Sequence, residues 1–194
     1  MSEVVIRRYI RDYLVNNGPA RLLAGRLDEL GVGFFPLVDH VTVRTLNVDR
    51  RAAEFLEMGF AYDAAIGVLE FDDWWAKVYR RPGLPAVFID QAYDGERGAT
   101  SLIPAWVRAF GDQVLHHVAL RVEDIEVGVA RMKALGVAFP DEIIGEAGTD
   151  LRQIFTRPEM KDGQPFTVLE LIERHRGYAG FLPPQADGLM KSSV

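Results

Sequence analysis

The sequence predicts an α+β protein in which two βαβββ modules form a cup behind a pair of helices. Three observations predict it. A strand-like stretch with one polar pair occurs twice, as Asp39-His40-Val41-Thr42-Val43-Arg44 and as His116-His117-Val118-Ala119-Leu120-Arg121. His40 and His117 are 77 residues apart, as are Arg44 and Arg121. Residues 39–62 lie against 116–139 at that offset without a gap, with six identities in 24 positions, including both polar residues and Gly59/Gly136. Each copy then continues through a helical stretch into further extended segments, which reads as an internal duplication.

At 194 residues the chain can build one sizeable core, or two small modules packed as one domain. Hydrophobic and charged contents of 48% and 26% are those of a globular protein. A net charge of −6 leaves no basic stripe to neutralise phosphates, so no nucleic-acid partner is expected. No apolar run approaches the ~20 residues that span a bilayer. The start, Met1 to Arg8, lacks the order of a secretory signal, and a cytoplasmic location is expected. Without cysteine there is no disulfide, no thiolate nucleophile and no zinc–thiolate site. A homodimer is allowed by these features and not required by them.

Residues 1–35 read as a helical pair. Ile6, Tyr9, Ile10 and Tyr13 recur at helical spacing until Asn16-Asn17-Gly18-Pro19, and Leu23, Leu27 and Leu30 follow, with Gly31 as a stop. The first module, 36–92, opens with a strand at 38–45. Asn47 or Asp49 caps a helix that runs to Gly59, and strands follow at 60–71, 74–80 and 85–91. Residues 93–114 are a connector with a short helix around 104–110. The second module, 115–176, has a strand at 115–122, a helix at 124–135 and strands near 137–146, 150–157 and 166–174. The tail, 177–194, carries two consecutive prolines and is expected over the surface or across a cavity mouth.

Alternate side chains of a strand share a face. His40, Thr42 and Arg44 therefore point one way, and His117, Ala119 and Arg121 share the matching face of the second copy. His116, Val118 and Leu120 point the other way, towards a core. Two histidines and a carboxylate on strands can hold a divalent metal as a facial triad with open positions, a set that suits iron(II) and O2. His40, His117 and Glu170 are the candidates, because Glu170 interrupts the apolar run from Val168 to Ile172. The plainer reading makes His40 an edge residue and Glu170 solvent-facing, and the matched parity of the two copies weighs against it. His116 has the wrong parity for a ligand, and His175 lies among charged residues.

Asp90 is the repeat partner of Glu170 when Pro85–Asp90 is laid against Pro165–Glu170 at an offset of 80. As a fourth ligand it would favour Lewis-acid chemistry. As a cap on the turn after its strand it would leave the triad open. Both readings stand at this point. Arg44 and Arg121 suit bidentate capture of a carboxylate or a salt bridge to a strand neighbour. Capture is favoured for Arg44, and neither is favoured for Arg121. Phe71, Trp74, Trp75 and Tyr79 read as packing.

Paired modules with metal ligands on their strands resemble the vicinal-oxygen-chelate superfamily. The segments HHVALRVEDI (116–125), LRQIFTRP (151–158) and VLELIER (168–174) are similar to the C-terminal half of the 4-hydroxyphenylpyruvate dioxygenases. DHVTVRT (39–45), YRRPGLPAVFID (79–90) and the tail YAGFLPPQADGLMKSS (178–193) resemble the 2-oxoadipate dioxygenase/decarboxylase, or hydroxyglutarate synthase, family. The resemblance covers roughly residues 36–193, and DHxxxRT is its most specific piece. It implies iron(II) held by His40, His117 and Glu170 in a metal-centred cup, and a substrate carboxylate held by Arg44. The chain departs from the family in being shorter than its usual members, and in carrying Asp90 where a non-ligand is expected.

The expected activity is therefore an iron(II)-dependent dioxygenase acting on a 2-oxo acid and O2. Decarboxylation would supply two electrons for O–O cleavage, and the same molecule would be hydroxylated. A glyoxalase-like isomerase or lyase with four protein ligands is one alternative. A metal-free small-molecule binder is the other.

Overall fold

The chain begins with α1 (Ser2–Asn16) and α2 (Gly18–Glu29), and a 3-10 turn then leads into β1 (Val38–Arg44). This computed structural model describes residues 2–140 and 142–193. Met1, Asp141 and Val194, from the expected helical pair, the expected strand at 137–146 and the tail, lie outside the described residues. The first module continues with α3 (Val48–Glu57), β2 (Ala61–Tyr62), β3 (Leu69–Glu70), β4 (Trp74–Arg80) and β5 (Ala86–Ala92). After α4 (Ile103–Phe110) comes the second: β6 (His117–Val122), α5 (Ile125–Ala134), β7 (Leu151–Phe155), β8 (Glu159–Lys161) and β9 (Gln164–Arg174). The tail forms α6 (Pro183–Ser192).

The duplicated helices are stopped and started alike. Asn47 Oδ1 accepts from the Arg50 amide at 2.8 Å, and Asp124 Oδ1 accepts from Val127 at 2.8 Å. At the other ends Gly59 and Gly136 take φ of 81° and 87°, the left-handed region that costs glycine least. That lets Phe60 N reach back to Phe55 O and Val137 N to Met132 O, both at 3.0 Å.

Nine strands among the described residues form a sheet in the order β2-β4-β5-β1-β6-β9-β7, with β3 on β4 and β8 on β9. At its centre β1 and β6 run antiparallel, pairing Thr42 with His117 and His40 with Ala119. The 77-residue offset exchanges these two pairs, so a local two-fold axis relates the modules. Each central strand then pairs in parallel with the last strand of its own module, Thr42 opposite Phe88 and Ala119 opposite Glu170.

Strand parity divides the core. Val41, Val43, Val118, Leu120, Leu169 and Leu171 face a cluster completed by Ile6, Tyr9, Ile10 and Tyr13 of α1 and by Phe55 and Ile125. Each fully buried Val, Leu, Ile or Phe contributes about 1.5–3 kcal/mol. On the other face Trp74, Phe88, Trp106, Phe166, Phe181 and Met190 pack together under α4 and α6. That face carries His40, Thr42 and Arg44. No helix among the described residues is long and apolar enough to cross a membrane.

Three expected strands differ. The stretch 60–71 holds only the short β2 and β3, because turns after Asp63 divide it, with Gly67 N bonded to Asp63 O at 3.1 Å. The expected strand at 137–146 is reduced to a bridge between Ile144 and Gln153, in a segment that contains Pro140 and Gly145. The last strand is longer than expected and begins in a hairpin with β8. Asp162 and Gly163 form its two-residue loop with φ of 52° and 76°.

Candidate metal centre

His40, His117 and Glu170 converge in a cavity of about 40 Å3 on the sheet face opposite α1. The Nε2 atoms of both histidines lie 3.3 Å from Glu170 Oε2. One ligand atom from each residue falls within 4.8 Å of the others, so the cluster could hold a metal ion. The three come from β1, β6 and β9, the adjacent strands at the centre of the sheet.

Each histidine is held from behind. His40 Nδ1 lies 3.0 Å from Asp39 Oδ1, and Arg174 grips the same carboxylate with Nε at 2.9 Å and Nη2 at 3.0 Å. Burial pushes the Asp39 carboxyl up, but His40 and Arg174 outweigh it and hold it well below the usual carboxylate range. With Nδ1–H given to Asp39, His40 presents Nε2 to Glu170 Oε2. His117 Nδ1 lies 2.9 Å from His116 Nδ1, and its Nε2 is 2.8 Å from Thr42 Oγ1.

Electrostatics separate the two histidines. Burial lowers His40, but the charge of Glu170 and the bond to Asp39 raise it more, leaving it above its ordinary value. Burial dominates at His117 and lowers it to about 4, against the pull of Glu170. His116 is pushed well below its ordinary value by burial, with Arg44 adding to the effect. Glu170 is kept ionised by His40 and His117 despite its burial. Its Oε1 is buried without a hydrogen-bond partner among the described residues. A metal fits this donor set, because a cation between two imidazole nitrogens and a carboxylate would engage an oxygen that is otherwise orphaned.

Asp90 is not part of this cluster. The register sets Asp90 opposite Arg44 and Phe88 opposite Thr42, whereas Glu170 stands opposite Ala119. Since Ala119 is the repeat of Thr42, the structural counterpart of Glu170 is Phe88. The sequence pairing of Asp90 with Glu170 is two residues out of register, because matching the apolar residues leaves the last strand free to slide by one full period of alternation. Asp90 Oδ2 faces Arg44 Nε at 4.0 Å, with both side chains buried. Arg44 also donates from Nη2 to Ser193 Oγ at 3.2 Å and to Met190 Sδ at 2.8 Å. Arg121 is exposed, at a separate surface hollow beside Phe35 and Pro85.

Several lining residues escaped the sequence reading. His116 sits just before β6, so strand alternation does not govern its ring, which meets Trp106 edge-on at 5.6 Å. Trp74, read as packing, borders the cavity and donates from Nε1 to Asp187 Oδ1 at 3.0 Å, which ties α6 over the mouth. Phe181, Leu189 and Met190 complete the cover. The consecutive prolines of the tail were the signal for this, since proline suits the first turn of a helix.

A duplicated βαβββ cup with a two-histidine, one-carboxylate cluster on its central strands is the class that fold and site define. No family model and no curated protein sequence matches the chain. Solved structures do. A Shewanella frigidimarina protein provisionally described as a hydrolase matches with a TM-score of 0.75 at 19% identity, over 94% of this chain and 98% of that one. A Ralstonia eutropha protein provisionally assigned to the glyoxalase superfamily gives 0.68 at 13%, over 90% and 83%. A mutant of 4-hydroxymandelate synthase from Streptomyces coelicolor gives 0.65 at 21%, over 83% of this chain and 54% of that one, so this chain spans about half its length. These likenesses establish the fold.

Proposed function

We propose that this protein is an iron(II)-dependent dioxygenase of the vicinal-oxygen-chelate type, coupling decarboxylation of a 2-oxo acid to hydroxylation of the same molecule. The observation that carries the reading is the donor set, which stops at three because Phe88 stands where a fourth ligand would come from. Three protein ligands leave room for substrate and O2 side by side, whereas a four-ligand site favours Lewis-acid isomerisation. The fold shared with 4-hydroxymandelate synthase, a protein named for a 2-hydroxy acid product, agrees with this reading.

His40, His117 and Glu170 would hold the iron, which when bound supplies a redox-active centre for a 2-oxo acid and O2. Asp39 and Arg174 orient His40, and neutral His116 accepts from His117 Nδ1–H so that Nε2 faces the metal position. Phe88, Phe155 and Phe181 make the surrounding wall apolar and exclude water. Arg44 holds a polar group of the substrate at the end remote from the cluster.

The test is release of CO2 from carbon 1 of a 2-oxo acid by iron-loaded protein. The proposal expects release only with both iron and O2 present. Turnover without O2 would favour the glyoxalase-like reading, and metal-independent binding without turnover would favour a binder.

A further inference from the structure

The end of the cavity around Arg44 and Asp90 holds two buried atoms that no partner among the described residues satisfies. Arg44 Nε and Asp90 Oδ1 have no hydrogen-bond partner, although each residue is only 2% exposed. Both side chains line the same cavity as His40, His117 and Glu170. An unpaired buried donor beside an unpaired buried acceptor is costly to leave unmade, and the pair calls for a partner that answers both.

The chemistry of that partner follows from what is already taken. Nη2 of Arg44 is used by Ser193 and Met190, so the parallel fork that grips a carboxylate is half occupied. The guanidinium charge is also opposed by Asp90 at 4.0 Å. A second carboxylate brought to this point would stand against Asp90 as a like charge. Next to Asp90 this leaves the unpaired Nε–H donor beside one unpaired carboxylate acceptor, which matches a group that both accepts and donates.

We propose that Arg44 and Asp90 select a substrate whose end remote from the metal carries a neutral hydroxyl or carboxamide. The group's oxygen accepts from Arg44 Nε–H, and its O–H or N–H donates to Asp90 Oδ1. Charge balance agrees with this. A divalent metal and Arg44 supply three positive charges against Glu170 and Asp90, leaving one positive charge for the single carboxylate of a 2-oxo acid. Burial pushes Asp90 up to about 7 against the pull of Arg44, so a further anion beside it would force proton uptake.

The selection rests on the 2-oxo acid reading, and the experiment separates the two. Calorimetric titration at pH 8 of protein loaded with manganese(II), in the absence of O2, compares four probes of similar length. They are 5-hydroxy-2-oxopentanoate, 2-oxoglutaramate, 2-oxohexanoate and 2-oxoglutarate. The hydroxyl and amide probes should bind about 10-fold or more tightly than the methyl-ended and dicarboxylate ones, the size of one good hydrogen bond. Asp90→Asn removes the opposing charge and should improve 2-oxoglutarate relative to the hydroxyl probe by about 10-fold. The wild-type order tests the proposal even if that variant fails to fold. Tightest binding of 2-oxoglutarate or 2-oxohexanoate by the wild type overturns the selection alone. Failure of all four to bind overturns the 2-oxo acid reading and the selection with it.

Discussion

Phe88 of the first module occupies the place that Glu170 occupies in the second: each faces the repeat-equivalent residue of its central strand, Thr42 or Ala119. The duplication therefore has matched histidines and unmatched carboxylates. Phe88→Glu tests whether the missing ligand matters. A fourth ligand contributing even about 1.4 kcal/mol should slow metal loss to a chelator about tenfold. The same substitution should abolish O2 uptake driven by a 2-oxo acid. Faster metal loss, with O2 uptake intact, would contradict the open-site account.

His116 should act through His117 rather than on the substrate. Removing a residue that orients a metal ligand typically lowers affinity about 10- to 100-fold. His116→Leu should weaken metal binding to that extent in a chelator competition, and His116→Gln, which keeps an acceptor, should recover part of it. Equal affinity in all three proteins would show that the bond between the two Nδ1 atoms is incidental.

Arg44 and Asp90 should affect the substrate and leave the metal alone. Arg44 stands four residues beyond His40 on the same face, about 13 Å along the strand at ~3.3 Å per residue. A hydrogen bond from a charged group contributes about 1.5–3 kcal/mol, so Arg44→Ala should lower kcat/KM by on the order of 10- to 100-fold. Arg44→Lys should restore only part of it, since an ammonium keeps the charge but places no donor where Nε–H lies. Metal content by elemental analysis should be unchanged in these variants and in Asp90→Ala. Loss of metal from Asp90→Ala comparable to that from Glu170→Ala would return Asp90 to the ligand set.

Most of this arrangement was legible in local pattern. The His-x-x-x-Arg repeat placed His40 and His117 on facing strands, because alternation and an ungapped offset suffice for that. Glu170 stood out as a charge inside an apolar run. The partner of Glu170 was not legible, since sliding β5 by two residues preserves every inward and outward assignment. His116 was missed because strand parity was extended one residue past the start of β6. The β8–β9 hairpin had a local signal in Asp162-Gly163, but the short β8 before it has little apolar pattern of its own. The role of α6 depends on tertiary contacts, Trp74 with Asp187 and Arg44 with Ser193, that no periodicity encodes.

Acid should destabilise the metal-free protein through its buried histidines. His117 is lowered to about 4 and His116 is also lowered, so below pH ~6.5 the unfolded chain takes up protons that the folded chain refuses. Stability present above that pH is lost as pH falls towards about 4. His40, which is raised, acts oppositely and only at higher pH, gaining stability as pH falls through its folded value towards 6.5. Asp90, raised to about 7 by burial, offsets this, because in the folded chain it takes up its proton below about pH 7 and in the unfolded chain only near 3.8. In an Asp90→Asn background, where that offset is absent, the thermal midpoint of chelator-treated protein should fall steadily from pH 6.5 to 4.5. A flat profile over that window would contradict the assignment of His116 and His117 as neutral buried groups.

The α6 cover limits what can enter. Phe181, Leu189 and Met190 line the cavity, so α6 and the segment before it border the route by which substrate reaches it. Asp187→Ala, which removes the acceptor of Trp74, should speed association of a 2-oxo acid in stopped-flow measurements several-fold without altering metal content. An unchanged rate would mean that entry does not pass under α6.

The most direct measurement is O2 consumption by protein loaded anaerobically with iron(II), followed by an oxygen electrode across a panel of 2-oxo acids. The account predicts that at least one acid drives uptake, with one CO2 released per O2 consumed, and that Glu170→Ala shows none. Iron-loaded protein that consumes no O2 with any 2-oxo acid, or a Glu170→Ala protein as active as the wild type, would contradict it.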